Sequence, residues 1–554
     1  VLAAAAPDEM RRSGPEGPIS LIRIAAEPPL TLQVLRRLQI DVRQELGTCF
    51  LALAGPGDLR RLRGSGVRFS VLDRNASRRE YFVVGTERPG DVALLRSAGR
   101  AAAVEPGTAV FWTEEGNAAE RVPVGLPRKA LAPRSVLPYV REQPAVRPPA
   151  IVARAQDPLV GSIVSLVSTP ELAARVQALQ DFQTRYATTT NCDAAGEALF
   201  GAFTALGLDE VRFEPFTFAG SLASRNVVAE KTGERYPDDV YVICAHYDSI
   251  SPTPQTLAPG ADDNASGTAA VLEAARVLAP YPLDFTVRFI AFSAEELGLW
   301  GSRAHADAAR AAGDRILGVI NLDMIAYADL APEELEIFVN GESDWMGDLF
   351  VSACSRYGPV EGRKTIDPSL VYSDHAPFWD NGYPALLAIE DYPLANPYYH
   401  RTTDTLSTLD LDFFTDCTRA AVGLLAELAQ PIKEGHPRTP VGLTAETAVY
   451  SSLFNSLKSI HLDWTAQADA SGYNVYRATA SHGGYVKINT TPVAGASFVD
   501  DNVGTGLTFF YAVTAVGPTG LESNRSREAI VSFITVRPQV SILSVTPLTL
   551  RGVR

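Results

Sequence analysis

The 554-residue sequence predicts an α/β protein: a mixed, largely parallel sheet flanked by helices over residues 159–432, an α+β region before it over 1–120, and a small β-sandwich after it over 438–534. Three patterns carry that prediction. The middle of the chain alternates long apolar runs with helical stretches, as βα units do. Beyond residue 438 the pattern changes to short alternating segments separated by Gly, Pro and Asn. At about 150 residues per domain, the length itself asks for roughly three or four units.

Composition bounds the chemistry before any motif is read. Hydrophobic residues at 46% and charged residues at 20% describe a chain that buries real cores. The 64 acidic residues outnumber the 49 basic ones, and the formal charge of −15 opposes phosphate neutralisation, so no nucleic-acid partner is expected. No uninterrupted apolar stretch nears the ~20 residues that span a bilayer, so an integral membrane protein is not expected either. The opening VLAAAAPDEM has the small-residue character of a signal-cleavage region, which leads us to expect a secreted, extracellular protein.

The region 1–120 carries an internal repeat: stretches starting at Leu21 and Tyr81 match without gaps at Glu27/Glu87, Pro29/Pro89, Leu35/Leu95, Arg36/Arg96, Glu45/Glu105, Gly47/Gly107 and Thr48/Thr108. Each copy reads as an apolar strand (LIRIAA, YFVVGT), a helix (LTLQVLRRL, DVALLRSA) and a second strand after Gly-Thr (CFLALA, AVFWTE). The region has no His and is expected to be a propeptide or accessory domain. Residues 121–158, rich in Pro, Arg, Ala and Val, suit an exposed linker open to a processing protease. In 159–432, VYVICAHYDS, TVRFIAFSAEE and ILGVINLDMI read as strands buried on both faces. Each ends in acidic residues, where open α/β sheets place polar chemistry. In 438–534, Trp464 and the Tyr473-Asn474-Val475-Tyr476 strand resemble fibronectin type III modules, which implies a spacer or a contact with an extracellular surface or matrix. Residues 535–554 read as a tail. Five cysteines leave at least one thiol free, and Cys192 with Cys417 is one conceivable bridge.

Five short motifs concentrate the chemistry. In His246-Tyr247-Asp248 the carboxylate two residues on is placed to fix a metal-bound imidazole. Chance supplies roughly 0.8 such pairs in this composition, so the pair gains meaning only from ending a buried strand. Asp262 and Asp263 precede a helix, where one acid would serve as an N-cap and the second is left over. A carboxylate bridging two divalent cations explains it, because the metals offset the burial of its charge. Glu295 and Glu296 follow an apolar strand, where two adjacent acids repel unless one binds metal and the other holds the attacking water. Asp323 is a further acid at a strand end, and His400 supplies the second imidazole. Two His and three carboxylates suffice for two zinc ions with an open position, the donor set of catalytic rather than thiolate-rich structural zinc. Ser373-Asp374-His375 invites a nucleophilic triad, but adjacent residues do not form that geometry and no G-x-S-x-G surrounds the serine.

In that order, HYD, GADDNASG, AEELGLWGS, NLDM, SDH and YYHRTTDT resemble the bacterial leucyl-aminopeptidase and glutamate-carboxypeptidase family of dizinc exopeptidases. The resemblance implies a bacterial enzyme with the zinc exopeptidase fold. It implies that His246 and Asp323 hold one zinc, that Glu296 and His400 hold the other, and that Asp263 bridges. Glu295 is then the general base, Asp248 the carboxylate behind His246, and Tyr399 a residue that stabilises the oxyanion. A cis peptide after Asp263 is implied as well.

The expected function is aminopeptidase action on peptides or proteins: a water bridging two zinc ions attacks the scissile carbonyl, and Glu295 carries its proton to the leaving amine. Met324 and Phe338 are candidates for a substrate pocket, with core packing as the plainer role. A carboxypeptidase of the same family stays open, because Arg is abundant enough to clamp a substrate carboxylate. An inert peptidase fold used for adhesion is the alternative from another class. A one-zinc glutaminyl cyclase fits the five-ligand set less well.

Overall fold

The computed structural model describes residues 18–131 (apart from 26–34, 36–37, 39, 47–48, 66, 78, 87, 89, 114–117, 124–125 and 127), 156–390 apart from 331, 396–451, 456–503 and 508–532. Two compact units divide the chain, Val1–Ile432 and Lys433–Arg554. Most of the expected linker and the whole tail over 535–554 lie outside the described residues.

In the first unit, β1 (Ser20–Ala25), β2 (Asp41–Leu46), β3 (Cys49–Ala54) and β4 (Phe69–Asp73) form an antiparallel sheet of order β2-β3-β1-β4. β5 (Tyr81–Gly85), β6 (Arg100–Glu105), β7 (Thr108–Trp112) and β8 (Arg128–Ala130) form a second, of order β6-β7-β5-β8. Leu21, Cys49 and Leu51 of the first share a core with Tyr81, Val110 and Trp112 of the second. DVALLRSA is helical as Asp91–Ala98, whereas LTLQVLRRL lies mostly outside the described residues. Each sheet has two strands that the apolar pattern does not mark. All four are edge strands (β2, β4, β6, β8), paired on one side only, and their sequences DVRQEL, FSVLD, RAAAVE and RKA carry no long apolar run of bulky residues.

A larger mixed sheet follows. β9 (Glu210–Phe218), β10 (Leu222–Lys231), β11 (Tyr236–His246), β12 (Phe285–Phe292), β13 (Arg315–Leu322), β14 (Glu334–Val339), β15 (Glu361–Ile366) and β16 (Ala385–Ile389) lie in the order β15-β14-β16-β13-β11-β12-β10-β9. The central strands β16-β13-β11-β12 are mutually parallel, while β10 joins β12 and β14 joins β16 antiparallel. Four carboxyl ends therefore share one edge. β11 shows why its apolar run is continuous: Val240, Val242 and Cys244 pack with Ile290, Phe292 and the Ala306–Ala309 turn of helix Trp300–Ala312. Its other face meets helices Gly267–Leu278 and Leu411–Ala429, so both faces must be apolar. β11 lies between β12 and β13: the chain passes from β11 to β12 on one side and then crosses back to β13 on the other, and the carboxyl ends of such strands are where open α/β sheets place their sites.

All five cysteines are free and buried, so Cys192 and Cys417 form no bridge. Cys192, on helix Thr190–Ala205, lies instead against the Ser293 hydroxyl at 3.8 Å. No single helix among the described residues is long and apolar enough to cross a membrane.

The second unit holds β17 (Val441–Ser451), β18 (Ser456–Thr465), β19 (Gly472–Ala478), β20 (Val486–Lys487), β21 (Ser497–Asp500), β22 (Thr508–Val516) and β23 (Ala529–Ser532). They form a β17-β18-β21 sheet and a β20-β19-β22-β23 sheet. Ile460, Leu462 and Trp464 of one meet Val475, Tyr511 and Val513 of the other, the inward residues of each alternating strand.

Candidate metal centre

The five motifs meet at the carboxyl edge of the central strands. His246 is the last residue of β11, Asp323 follows β13, and Glu295 and Glu296 follow β12 after Ala294, which takes a left-handed φ of 57°. Met324 (φ 52°) and His400 (φ 55°) are left-handed too, a concentration of uncommon backbone typical of functional sites. Asp263 sits in the turn before helix Gly267–Leu278, and its peptide to Asn264 is cis. Neither Asp262 nor Asp263 caps that helix. Asn264 does, its Oδ1 accepting from Gly267 N at 2.9 Å while its Nδ2 donates to Leu322 O. Both acids are thereby released for other work.

The contacts between these groups are specific. His246 Nδ1 lies 3.1 Å from the Asp248 carbonyl, an acceptor only, which assigns the ring proton to Nδ1. Nε2 then presents a lone pair, and Asp263 Oδ1 and Asp323 Oδ1 stand 3.3 Å from it. Acceptors facing acceptors repel unless a proton or a metal ion lies among them. A tetrahedral ion at about 2.0–2.1 Å from its ligands sets those ligand atoms roughly 3.3–3.4 Å apart, the spacing seen here. The second imidazole repeats the arrangement, with His400 Nε2 3.1 Å from Asp263 Oδ2 and 3.0 Å from Glu296 Oε2. Glu296 Oε1 is buried without a hydrogen-bond partner. Ligand atoms of His246, Glu295 and Asp323, and of His246, Asp263 and Glu296, fall within 4.8 Å of one another. That looser grouping spans both imidazoles' surroundings; the shorter contacts divide them, Asp263 turning one oxygen to each ring. Glu295 Oε2, at 3.8 Å from His246 Nε2, stands beyond the ligand spacing.

Charge follows the same lines. Burial opposes protonation of His246, but Glu295 and Asp323 outweigh it and raise the group well above its ordinary value. Burial likewise opposes His400, and Glu296 and Asp263 lift it to about 10. Burial would raise Asp263, yet the two imidazoles hold it well below the usual carboxylate range. Behind this row, burial pushes Asp262 and Asp374 each to about 7, and Glu390 and Asp404 well above their ordinary values. The outer acids thus carry less charge at neutral pH than their number suggests.

Several of these roles escape sequence reasoning. Asp248 keeps Oδ1 3.6 Å from His246 Nδ1 while its carboxylate accepts the amides of Glu295 at 3.1 Å and Glu296 at 3.3 Å. The shorter contact to His246 Nδ1 is the Asp248 carbonyl, at 3.1 Å. Asp404 clasps the amides of Asp262 (2.9 Å) and Asp263 (3.1 Å). Asn396 bridges Asp262 and Glu390, with 2.9 Å to each. Ser373 donates to Asp323 Oδ2 at 2.5 Å and His375 Nε2 donates to Leu370 O, so these neighbours form no triad. Asp404 and Ser373 stand inside motifs already singled out, whereas nothing in the chain flags Asn396 or Glu390. Met324 and Phe338 are brought together in one apolar cluster with Leu370, Leu387 and Ile389, against which Tyr372 and Tyr399 pack. The Tyr399 ring stacks on His400 at 3.8 Å.

Residues 226–425, which include all of these candidate ligand positions, match Peptidase family M28. Leucine aminopeptidase 1 of Trichophyton rubrum is 30% identical over 308 residues, covering 52% of this chain and 81% of its own length. Aminopeptidase YwaD of Bacillus subtilis is 33% identical over 223 residues, 39% of this chain and 47% of its own. The Legionella pneumophila LapA aminopeptidase structure aligns with a TM-score of 0.45 at 17% identity, covering 75% of this chain and 99% of LapA.

Proposed function

The chain belongs to peptidase family M28, and from that premise we propose that it is a two-zinc aminopeptidase acting on peptides with a free N-terminus. One observation carries the reading: two imidazole nitrogens and three carboxylates face one another at 3.0–3.3 Å, at or a little inside the edge of a tetrahedral zinc shell. His246 and Asp323 would hold one ion, His400 and Glu296 the other, with Asp263 shared. Zinc in these positions supplies Lewis acidity to water and to the scissile carbonyl. Glu295, buried beside the ligands and outside their spacing, takes the proton of the attacking water and returns it to the leaving amine. Asp248 fixes that residue through its amide. Tyr399, stacked on His400, is placed to steady the oxyanion, and the cluster around Met324 and Phe338 receives the side chain of the first substrate residue.

The guanidinium buried at the ligand loops, Arg185, is engaged with backbone carbonyls and cannot clamp a C-terminus. The named relatives are aminopeptidases, which supports the same choice. The reading takes the second unit as a fibronectin type III-like spacer, supported by its three- and four-stranded sheets around Trp464.

The test is a chelator-stripped, zinc-reconstituted full chain assayed on aminoacyl nitroanilides, N-acetylated peptides and C-terminally blocked peptides. Turnover of free N-termini that returns with two equivalents of zinc is expected. Release of C-terminal residues from N-acetylated peptides would assign a carboxypeptidase, and no turnover with zinc bound would sink the enzymatic reading.

A further inference from the structure

Arg185 lies between helices Thr169–Gln180 and Thr190–Ala205, and its side chain is wholly buried. A buried guanidinium ordinarily sits against a carboxylate. This one spends its donors on four carbonyls: Nε on Tyr247 (2.7 Å), Nη1 on Leu179 (3.1 Å) and Pro259 (2.6 Å), and Nη2 on Gly260 (2.8 Å). Two of those acceptors stand beside ligands from different motifs. Tyr247 directly follows His246. Gly260 lies three residues before Asp263 in a left-handed conformation (φ 52°), so close that a Cβ would meet Asp263 O at 2.4 Å and Ser249 Cβ at 2.5 Å. Ser249 completes the tie. Its hydroxyl accepts from Arg185 N at 3.1 Å and donates to Ala258 O at 2.7 Å, and its amide donates to Arg185 O at 3.3 Å.

We infer that Arg185, with Ser249, is a positioning residue that holds the His246 loop and the Asp263 loop at ligand spacing and thereby sets the affinity for zinc. The inference rests on the zinc reading above. A guanidinium suits the task because it fixes five donors in a rigid planar fork, whereas an ammonium offers three rotatable donors on a single nitrogen. Its charge works the other way, since a cation near the site repels a dication. Geometry and charge therefore predict opposite outcomes when the residue is changed.

The experiment measures zinc affinity of the full chain by competition with a chromophoric chelator, for the parent, R185K, R185M, S249A and R288M. Partners of metal ligands typically change affinity 10- to 100-fold when replaced. R185K and R185M are expected to bind zinc at least about tenfold more weakly, and S249A a few-fold more weakly. Arg288 is buried and paired with Glu230 and Asp314, so R288M should lower the melting temperature and leave zinc affinity alone. Parent-like affinity in R185K and S249A, or tighter binding in R185M, would overturn the inference. S249A removes one hydroxyl and keeps the question decidable should the arginine variants not fold. A parent that binds no zinc would instead overturn the functional reading.

Discussion

The same strands end in two different electrostatic worlds. At the amino ends of β11 and β13, Asp239 is fully buried and accepts from Arg315 Nε at 2.7 Å. On β12, Arg288 bonds Glu230 at 2.9 Å and Asp314 at 3.0 Å. At the carboxyl ends, carboxylates of Asp263, Asp323 and Glu296 crowd two imidazoles, and the nearby guanidinium is turned to carbonyls. One end pairs unlike charges and is complete as it stands. The other gathers three carboxylates around two imidazoles, an arrangement that the proposed binding of zinc would account for.

That contrast can be broken at either end. On the proposed two-zinc reading the largest effect is expected at Glu295: E295Q should keep the shape and the zinc content, and kcat should fall roughly 10²- to 10⁴-fold. A near-normal kcat would leave the carboxyl end without its base. Next is D263N, which deprives both imidazoles of their shared anion. Metal analysis should show loss of at least one zinc, and two retained equivalents would refute the bridge. A third imidazole sharpens the comparison, because His375 is buried without a carboxylate partner and burial lowers it to about 4. On acidification the unfolded chain therefore takes up this proton first. The contribution is whole above about pH 6.5 and lost as pH falls toward 4, on the order of 3 kcal/mol at 1.36 kcal/mol per unit. H375N should flatten that part of the pH dependence of the denaturation midpoint. Smallest is the amino end: D239N should cost about 1–2 kcal/mol of stability and leave kcat and zinc affinity untouched, because Arg315 is half exposed and can rehydrate.

The comparison also marks what could be read from the chain. Strands β11, β12 and β13 announce themselves because burial on both faces demands unbroken apolar runs, and an acid that ends such a run stands out. β9, β14 and β15 escape because one face is left half exposed and their alternation resembles loop. The ligand residues are legible as types in context. The hydrogen bonds that aim them are not, since Asp404 grips an amide 142 residues away and Arg185 grips carbonyls up to 75 residues away, and neither distance leaves a periodic trace. Asp248 is instructive: its spacing from His246 suggests a side-chain contact, and its carbonyl adds a shorter one that spacing alone does not suggest.

The clasp of Asp404 on Asp262 and Asp263 has a consequence for the order in which the chain is made. Every strand of the central sheet is complete by Ile389, yet His400 and Asp404 come later. A nascent chain stopped before them can pair its sheet and still lack the closure of the cradle, a contact of very long loop that forms late. During synthesis the central strands therefore precede the last contributors to the site, and the helix Leu411–Ala429 that covers one face of β11 comes later still.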